Sequence, residues 1–192
     1  MLAFMQITDA GGNIIAGEAT AVSYENWCVV ESLAYEGSSP DDRHERSSDE
    51  DWFQVTIEKP VDSSSHRIIQ CAIMDAGSQS FHFQKVIVEV CGVNEKPADG
   101  KSAGGAKLRT IVQITMQEVS VKSWSMDGET TWEAGGEAND KAGSNPKESL
   151  TLQFSEISFD YRDLVHDQGT VKNLGSRFFE AKANDLSARA WK

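Results

Sequence analysis

The fold of this chain is decided by one stretch of alternating residues, Ser149-Leu150-Thr151-Leu152-Gln153-Phe154-Ser155-Glu156-Ile157-Ser158-Phe159-Asp160-Tyr161. Alternation of apolar and polar residues is typical of a β-strand with one buried face. The apolar positions keep one phase up to Phe154 and take the other phase from Ile157. Because side chains in a strand point to opposite faces in turn, this three-residue gap moves the apolar set to the other face.

Two earlier stretches show the same phase slip. In one, the apolar positions are Val112, Ile114 and Met116, followed out of phase by Val119 and Val121. In the other, they are Phe81 and Phe83, followed out of phase by Val86, Val88 and Val90. A β-bulge would absorb the extra residue and keep one core face. Without a bulge, each strand would bury one face at its start and the other at its end, and would serve a second buried surface such as a subunit contact.

The rest of the chain adds further strand patterns and a single helix. Strand patterns lie at 4–8, 18–35 and 52–58. The helix can be capped by Asp62 or Ser63 and ended by Gly77. Its apolar stripe consists of Ile68, Ile69, Ala72 and Ile73. This order predicts a mainly β fold, a closed or nearly closed barrel or a sandwich with one packed helix, joined by long polar loops.

Composition restricts the classes of partner. The 192 residues suit one domain, or one domain with extensions, and the net charge is −12. This charge argues against general affinity for nucleic acid phosphates and for anionic membrane surfaces. The three cysteines, Cys28, Cys71 and Cys91, lie in apolar patterns with no CxxC spacing, so we expect buried thiols and neither a disulfide framework nor a zinc site.

The sequence also bears on where the protein acts. The chain contains no apolar run close to the ~18 residues of a membrane span. Its first residues, 1–6, lack the basic region and long apolar stretch of a signal peptide. We therefore expect the protein to be made in a reducing cytoplasm and, if it leaves the cell, to use a route that does not read such a signal.

The motifs that would indicate chemistry are incomplete. Gly100-Lys101-Ser102 resembles the end of a phosphate-binding loop, but Glu95 stands where that motif needs glycine. His44-Glu45 begins like a zinc-protease helix, but Ser48 replaces the second ligand. The acidic segment 41–51 lacks the spacing of a calcium loop, so a solvated loop is favoured. We predict no catalytic, cofactor-binding or metal-ligating residues and no enzyme activity.

Several segments, taken in order, carry a family resemblance. They are Phe4-Met5-Gln6-Ile7, the strand 52–58 running into Lys59-Pro60-Val61-Asp62, the helix 65–76, Phe83-Gln84-Lys85-Val86, residues 111–119 and the stretch 149–161. This ordered set resembles the haemolysin-coregulated protein (Hcp) family, the inner-tube proteins of bacterial type VI secretion systems.

The resemblance implies a two-sheet β-barrel with one flanking helix at 1–163, followed by a C-terminal extension at 164–192. It implies that six copies form a ring, that rings stack into a hollow tube, and that the tube is ejected with effectors by a sheath-and-spike machine, without a cofactor. The loop implied to contact the next ring comprises Ser38, Ser39, Pro40, Asp41, Asp42, Arg43 and His44. From the phase slips we predict that the subunit interface comprises Val119, Val121, Ile157, Phe159 and Tyr161, packed on the helix or on an adjacent subunit.

Two other hypotheses stay open at this point. One is a tube protein of a phage tail or of an extracellular contractile injection particle, which shares the general architecture. The other is an enzyme or secreted effector on the same fold, with a site in the acidic loops that would involve Asp41, His44 and Asp49.

Overall fold

The structure, a computed structural model, describes residues 1–37, 53–74, 82–94, 107–127, 146–164 and 171–180, the last of these as backbone only. Within these ranges one helix, α1 (Ser65–Met74), accompanies ten strands. The strands are β1 (Leu2–Asp9), β2 (Ile14–Ile15), β3 (Cys28–Val30), β4 (Ser32–Gly37), β5 (Phe53–Pro60), β6 (Phe83–Asn94), β7 (Lys107–Asp127), β8 (Lys147–Gln153), β9 (Glu156–Leu164) and β10 (Val171–Glu180).

The strands form a closed barrel of two sheets that share β7. One sheet runs β1-β6-β7-β9-β10 and the other runs β7-β8-β5-β4, with antiparallel pairing throughout. β3 pairs with β1, and only Glu31 separates β3 from β4, so segment 28–37 joins β1 to β5 and closes the barrel. The predicted two-sheet barrel with one short helix is therefore confirmed.

The three phase slips lie side by side on neighbouring strands of the barrel wall. They are at the level where β7, the strand shared by the two sheets, passes from one sheet to the other. β7 pairs with β9 through Gln117 and with β8 from Ser120 onward. Glu118, between them, has a left-handed φ of 48°. Its neighbours bend at the same level. Phe154 and Ser155 separate β8 from β9, and Ser155 donates its backbone N–H to the Gln117 carbonyl at 3.1 Å. On the other side, β1 skips Gln84 in β6.

These bends keep the apolar side chains inside. Val119 and Val121, after the slip in β7, lie in the same buried cluster as Met116, before it. Ile157, after the slip in β9, joins Leu152 in that cluster. The expectation that the residues after each slip serve a second surface is wrong for Val119, Val121 and Ile157, because bulges and a bend restore the phase.

Helix α1 closes one end of this core through Ile68 and Cys71. Ile73, predicted to belong to its apolar stripe, is instead 74% exposed, because Cys71 and Ala72 provide the inward positions after Ile68. The predicted C-terminus of the helix at Gly77 lies outside the described residues.

A second, smaller cluster lies on the outer face of the first sheet. Segment 17–27 crosses that face and packs Tyr24 flat against Phe4, with ring centroids 4.3 Å apart, beside buried Cys91. Gly17 is required where this segment passes β3, because a Cβ there would lie 2.5 Å from the Trp27 carbonyl oxygen. β1 therefore buries side chains on both of its faces.

Candidate functional site

The predicted inter-ring residues, Ser38 to His44, lie outside the described residues, as does the rest of the acidic segment 41–51. Their role stays a prediction. The predicted extension 164–192 is described only at Leu164, which ends β9, and at β10, whose backbone pairs with β9 from Val171 opposite Leu164 to Glu180 opposite Glu156.

The predicted interface residues divide into buried and exposed members. Val119, Val121 and Ile157 are at most 3% exposed within the subunit itself. Phe159 is partly buried and makes an edge-to-face contact with Tyr35, with ring centroids 5.6 Å apart. Tyr161 is 47% exposed. One subunit does not test a contact between subunits, and of this group Tyr161 offers the largest exposed surface.

β9 thus carries one apolar face that emerges from the core. Ile157, Phe159 and Tyr161 alternate along it and pass from buried to half-exposed. Val112 lies opposite Tyr161 in the ladder and is only partly buried. A partly exposed apolar face continuous with a core is the kind of surface that a second subunit covers.

The structure also shows a buried charged network at the other end of β8. Lys59 is 0% exposed and Glu148 is 1% exposed. The Lys59 ammonium donates to Glu148 Oε1 at 2.7 Å, to Asp62 Oδ1 at 2.8 Å and to the Pro60 carbonyl at 2.9 Å. All three of its N–H bonds therefore have acceptors inside the protein.

Glu148 ties this network to two more elements. Its Oε1 accepts from Ser65 Oγ at 2.7 Å, at the first residue of α1. Its Oε2 accepts from Trp124 Nε1 at 2.7 Å, on β7. One carboxylate thus joins three strands and a helix, and its buried oxygens are fully hydrogen-bonded, which is the condition for a tolerable buried charge.

Charge pairing decides the protonation of this site. Burial by itself would lower the pKa of Lys59, but hydrogen bonds from its ammonium to Asp62 and Glu148 outweigh this, so its pKa is raised. Close by, Cys28 donates from Sγ to Ser64 Oγ at 3.3 Å. Burial, with the Asp62 carboxylate nearby, raises the pKa of Cys28 to about 12, so this thiol is protonated and unreactive at neutral pH.

Sequence reasoning missed the Lys59–Glu148 network, although a signal was available. Lys59 continues the inward phase of Val55 and Ile57, and Glu148 continues that of Leu152 and Leu150. Opposite charges at inward positions of two strands indicate a buried pair. The cysteine prediction is confirmed, since all three are buried thiols outside any disulfide.

Two further observations concern the part of the chain that the structure describes. It contains no group of three or more His, Cys, Asp or Glu side chains placed to hold a metal ion. It also contains no helix with the length and apolar character needed to cross a membrane.

Comparison with known families identifies the barrel. The sequence model of the family described as "Type VI secretion system effector, Hcp" matches residues 4–161. The chain belongs to the Hcp family. The match covers the barrel from β1 into β9 and confirms the resemblance, and no comparison favours a phage or extracellular-particle protein. No curated protein sequence matches the chain significantly.

Solved structures of type VI secretion proteins, two of them named Hcp1, share the fold at low sequence identity. A structure titled "Structure of a type six secretion system protein" has a TM-score of 0.62 at 15% identity and covers 100% of this chain and 99% of its own. Hcp1 from Salmonella typhimurium has a TM-score of 0.61 at 17% identity, with 96% and 99% covered. Hcp1 from E. coli EAEC 042 has a TM-score of 0.59 at 13% identity, with 90% and 97% covered.

Proposed function

We propose that this Hcp protein forms homohexameric rings that stack into the inner tube of a type VI secretion system. The observation that carries the proposal is the family match over residues 4–161, which spans the closed barrel. In this proposal the protein acts as a structural subunit and has no enzyme activity. Its partners are further copies of itself and the sheath, spike and effector proteins of the machine.

The exposed end of the apolar β9 face is a suitable surface for the contact between neighbouring subunits of the ring. Tyr161 continues the core-facing phase of Ile157 and Phe159 but is 47% exposed. Covering a half-exposed aromatic side chain stabilises association by removing apolar surface from water. We place Tyr161 in the contact between neighbouring subunits, with the inter-ring contact at residues 38–44.

The route of the protein follows from its role in the tube. It assembles in the bacterial cytoplasm and leaves when the tube is ejected. Secretion into the medium that depends on an active contractile machine, and that stops when the machine is inactivated, is the expected result in cells.

The assembly state of the purified protein tests the proposal. Light scattering and negative-stain microscopy should show annular oligomers, and Tyr161→Glu should raise the concentration needed for assembly by at least ~10-fold, because it would bury a carboxylate in the contact. Met126→Glu is the matched control. Met126 is 57% exposed and lies near the C-terminal end of β7, whereas Tyr161 lies opposite Val112 near the start of that strand.

Three outcomes separate the parts of this proposal. A monomer that persists at high concentration would contradict ring formation. Rings that tolerate Tyr161→Glu as well as Met126→Glu would show that the contact lies elsewhere. Equal loss of assembly in both variants would also reject the specific assignment to Tyr161.

A further inference from the structure

The pairing of β5 with β8 places two buried charges opposite each other. Lys59 and Glu148 are direct partners in this ladder, and both point into the barrel. Toward the middle of the same ladder, Ile57 lies opposite Leu150 and Val55 opposite Leu152. Thus the inward-facing positions of each strand carry two apolar residues and one charged residue, and the two charged residues lie at the same end of the ladder.

No turn fixes how these two strands align. β5 and β8 are separated in the chain by α1, β6 and β7. The connections that lead into them, 38–52 before β5 and 128–146 before β8, are long. A short hairpin loop would set the alignment through its geometry, and without one the alignment has to come from side chains.

The apolar residues alone do not select the observed alignment. A slip of two residues would keep every side chain on its own face, because the strand repeat is two. It would place Ile57 opposite Leu152, which is still one apolar side chain against another. The apolar contacts of this seam therefore differ little between the two alignments.

The charged pair does distinguish them. After that slip Lys59 would face Leu150 and would keep Asp62, which lies on its own segment. Glu148 would face Val61 and would be a buried carboxylate that has lost its ammonium partner. We propose that the Lys59–Glu148 pair sets the register of the β5–β8 seam. Trp124 and Ser65, which also donate to Glu148, extend this alignment to β7 and α1.

Disulfide trapping on the outer face of the seam can measure the register directly. Thr56 and Thr151 are direct partners with partly exposed side chains. Opposite residues have the Cα separation that a disulfide needs, whereas diagonal neighbours at about 7–8 Å do not. A Thr56→Cys/Thr151→Cys pair therefore reports the observed register, and Thr56→Cys/Gln153→Cys reports the slipped one. The native cysteines are buried, which keeps them out of the exchange.

The test compares these pairs with and without the charges. With Lys59 and Glu148 present, the slipped-register pair should oxidise at least ~10-fold more slowly than the native pair. In the background Lys59→Met/Glu148→Leu, which removes both charges together, the oxidation rate of the slipped-register pair should rise at least ~10-fold. Lys59→Gln/Glu148→Gln provides a second background that keeps side-chain hydrogen bonding if the apolar one does not fold.

The trapping results test the proposed role of the Lys59–Glu148 pair whether or not the protein assembles into rings. If a folded charge-free variant keeps the trapping ratio of the original protein, the register is set elsewhere and the proposal is overturned. If the slipped pair forms readily even with both charges present, the proposal is overturned as well. Tube formation plays no part in the readout, so this result is independent of the proposed function.

Discussion

The two ends of the β7–β8 pair meet the same problem in different ways. At one end, near Glu118, the apolar residues change phase, and the backbone bends so that they stay inside. At the other end the backbone keeps its phase, but the inward position of β8 carries Glu148, and the inward position opposite it on β5 carries Lys59. Where the apolar pattern shifts by one residue, a bend in the backbone returns the apolar side chains to the core. Where the pattern does not shift but an inward residue is charged, a salt bridge with another inward residue compensates the buried charge.

The difference predicts unequal sensitivity to substitution. An apolar side chain in the bent region depends on contacts that many neighbours share, and swaps that conserve volume there are well tolerated. A buried charge depends on a few specific partners, so removing one of them leaves the others uncompensated. The charged end should therefore respond most strongly to single substitutions.

The largest effect is expected for Lys59→Met. It would leave Glu148 and Asp62 without the ammonium that both of them contact, and the free energy of unfolding should fall by about 3–5 kcal/mol. The double variant Lys59→Met/Glu148→Leu should be more stable than Lys59→Met alone, since the unpaired carboxylate is removed. Urea unfolding followed by circular dichroism measures both.

Lys147→Met is the matched control for this substitution. Lys147 lies next to Glu148 in sequence, but its side chain is 54% exposed and pairs with Glu31 at the surface. Its unfolding midpoint should stay close to that of the original protein. Equal destabilisation by Lys59→Met and Lys147→Met would remove the distinction between the buried network and an ordinary surface pair.

An intermediate effect is expected at the bend. Glu118 has a left-handed φ of 48°, a conformation that β-branched residues strongly disfavour. Glu118→Val should therefore lower the free energy of unfolding by about 1–2 kcal/mol. Glu118→Asn should change it by less than ~0.5 kcal/mol, since Asn tolerates this region. Thermal unfolding by calorimetry provides the comparison.

Gln117→Val controls for the side chain itself. Gln117 is exposed, is the residue before Glu118, and has a ladder partner on each side, in Lys85 and Glu156. Valine suits such a strand position. If Gln117→Val destabilises the protein as much as Glu118→Val, the backbone at Glu118 is not what makes the bend sensitive.

The smallest effect concerns the Cys28 thiol beside the network. The pKa of Cys28 is raised from 9.0 to about 12, mainly by burial. The unfolded chain therefore loses this proton first, so the stabilisation is complete below pH 9 and declines as the pH rises toward 12. Between pH 9 and pH 10 the free energy of unfolding should fall by about 1 kcal/mol from this thiol.

Cys28→Ser should remove the part of the fall in unfolding free energy that Cys28 causes above pH 9, since the serine hydroxyl does not titrate in this pH range. The slope of unfolding free energy against pH, measured from pH 8 to pH 10 in both proteins, is the readout. Burial also raises the pKa of Cys91, so a decline of the same sign from Cys91 should persist in the variant. An unchanged slope in Cys28→Ser would show that Cys28 titrates alike in the folded and unfolded chains.

The sequence by itself determined most of the strands, the helix and the family, because period-two alternation and the order of segments are local properties. The strand predicted at 18–35 is wrong for residues 18–27, which lie between β2 and β3 and pack on the outer face of the first sheet. The sequence did not determine how the phase slips are resolved, since a bulge and a second buried face produce the same pattern. Only the tertiary structure decided this, by aligning Gln84, Glu118 and Ser155 on one line of neighbouring strands. The pairing of Lys59 with Glu148 is likewise tertiary, because it joins strands 89 residues apart in the chain.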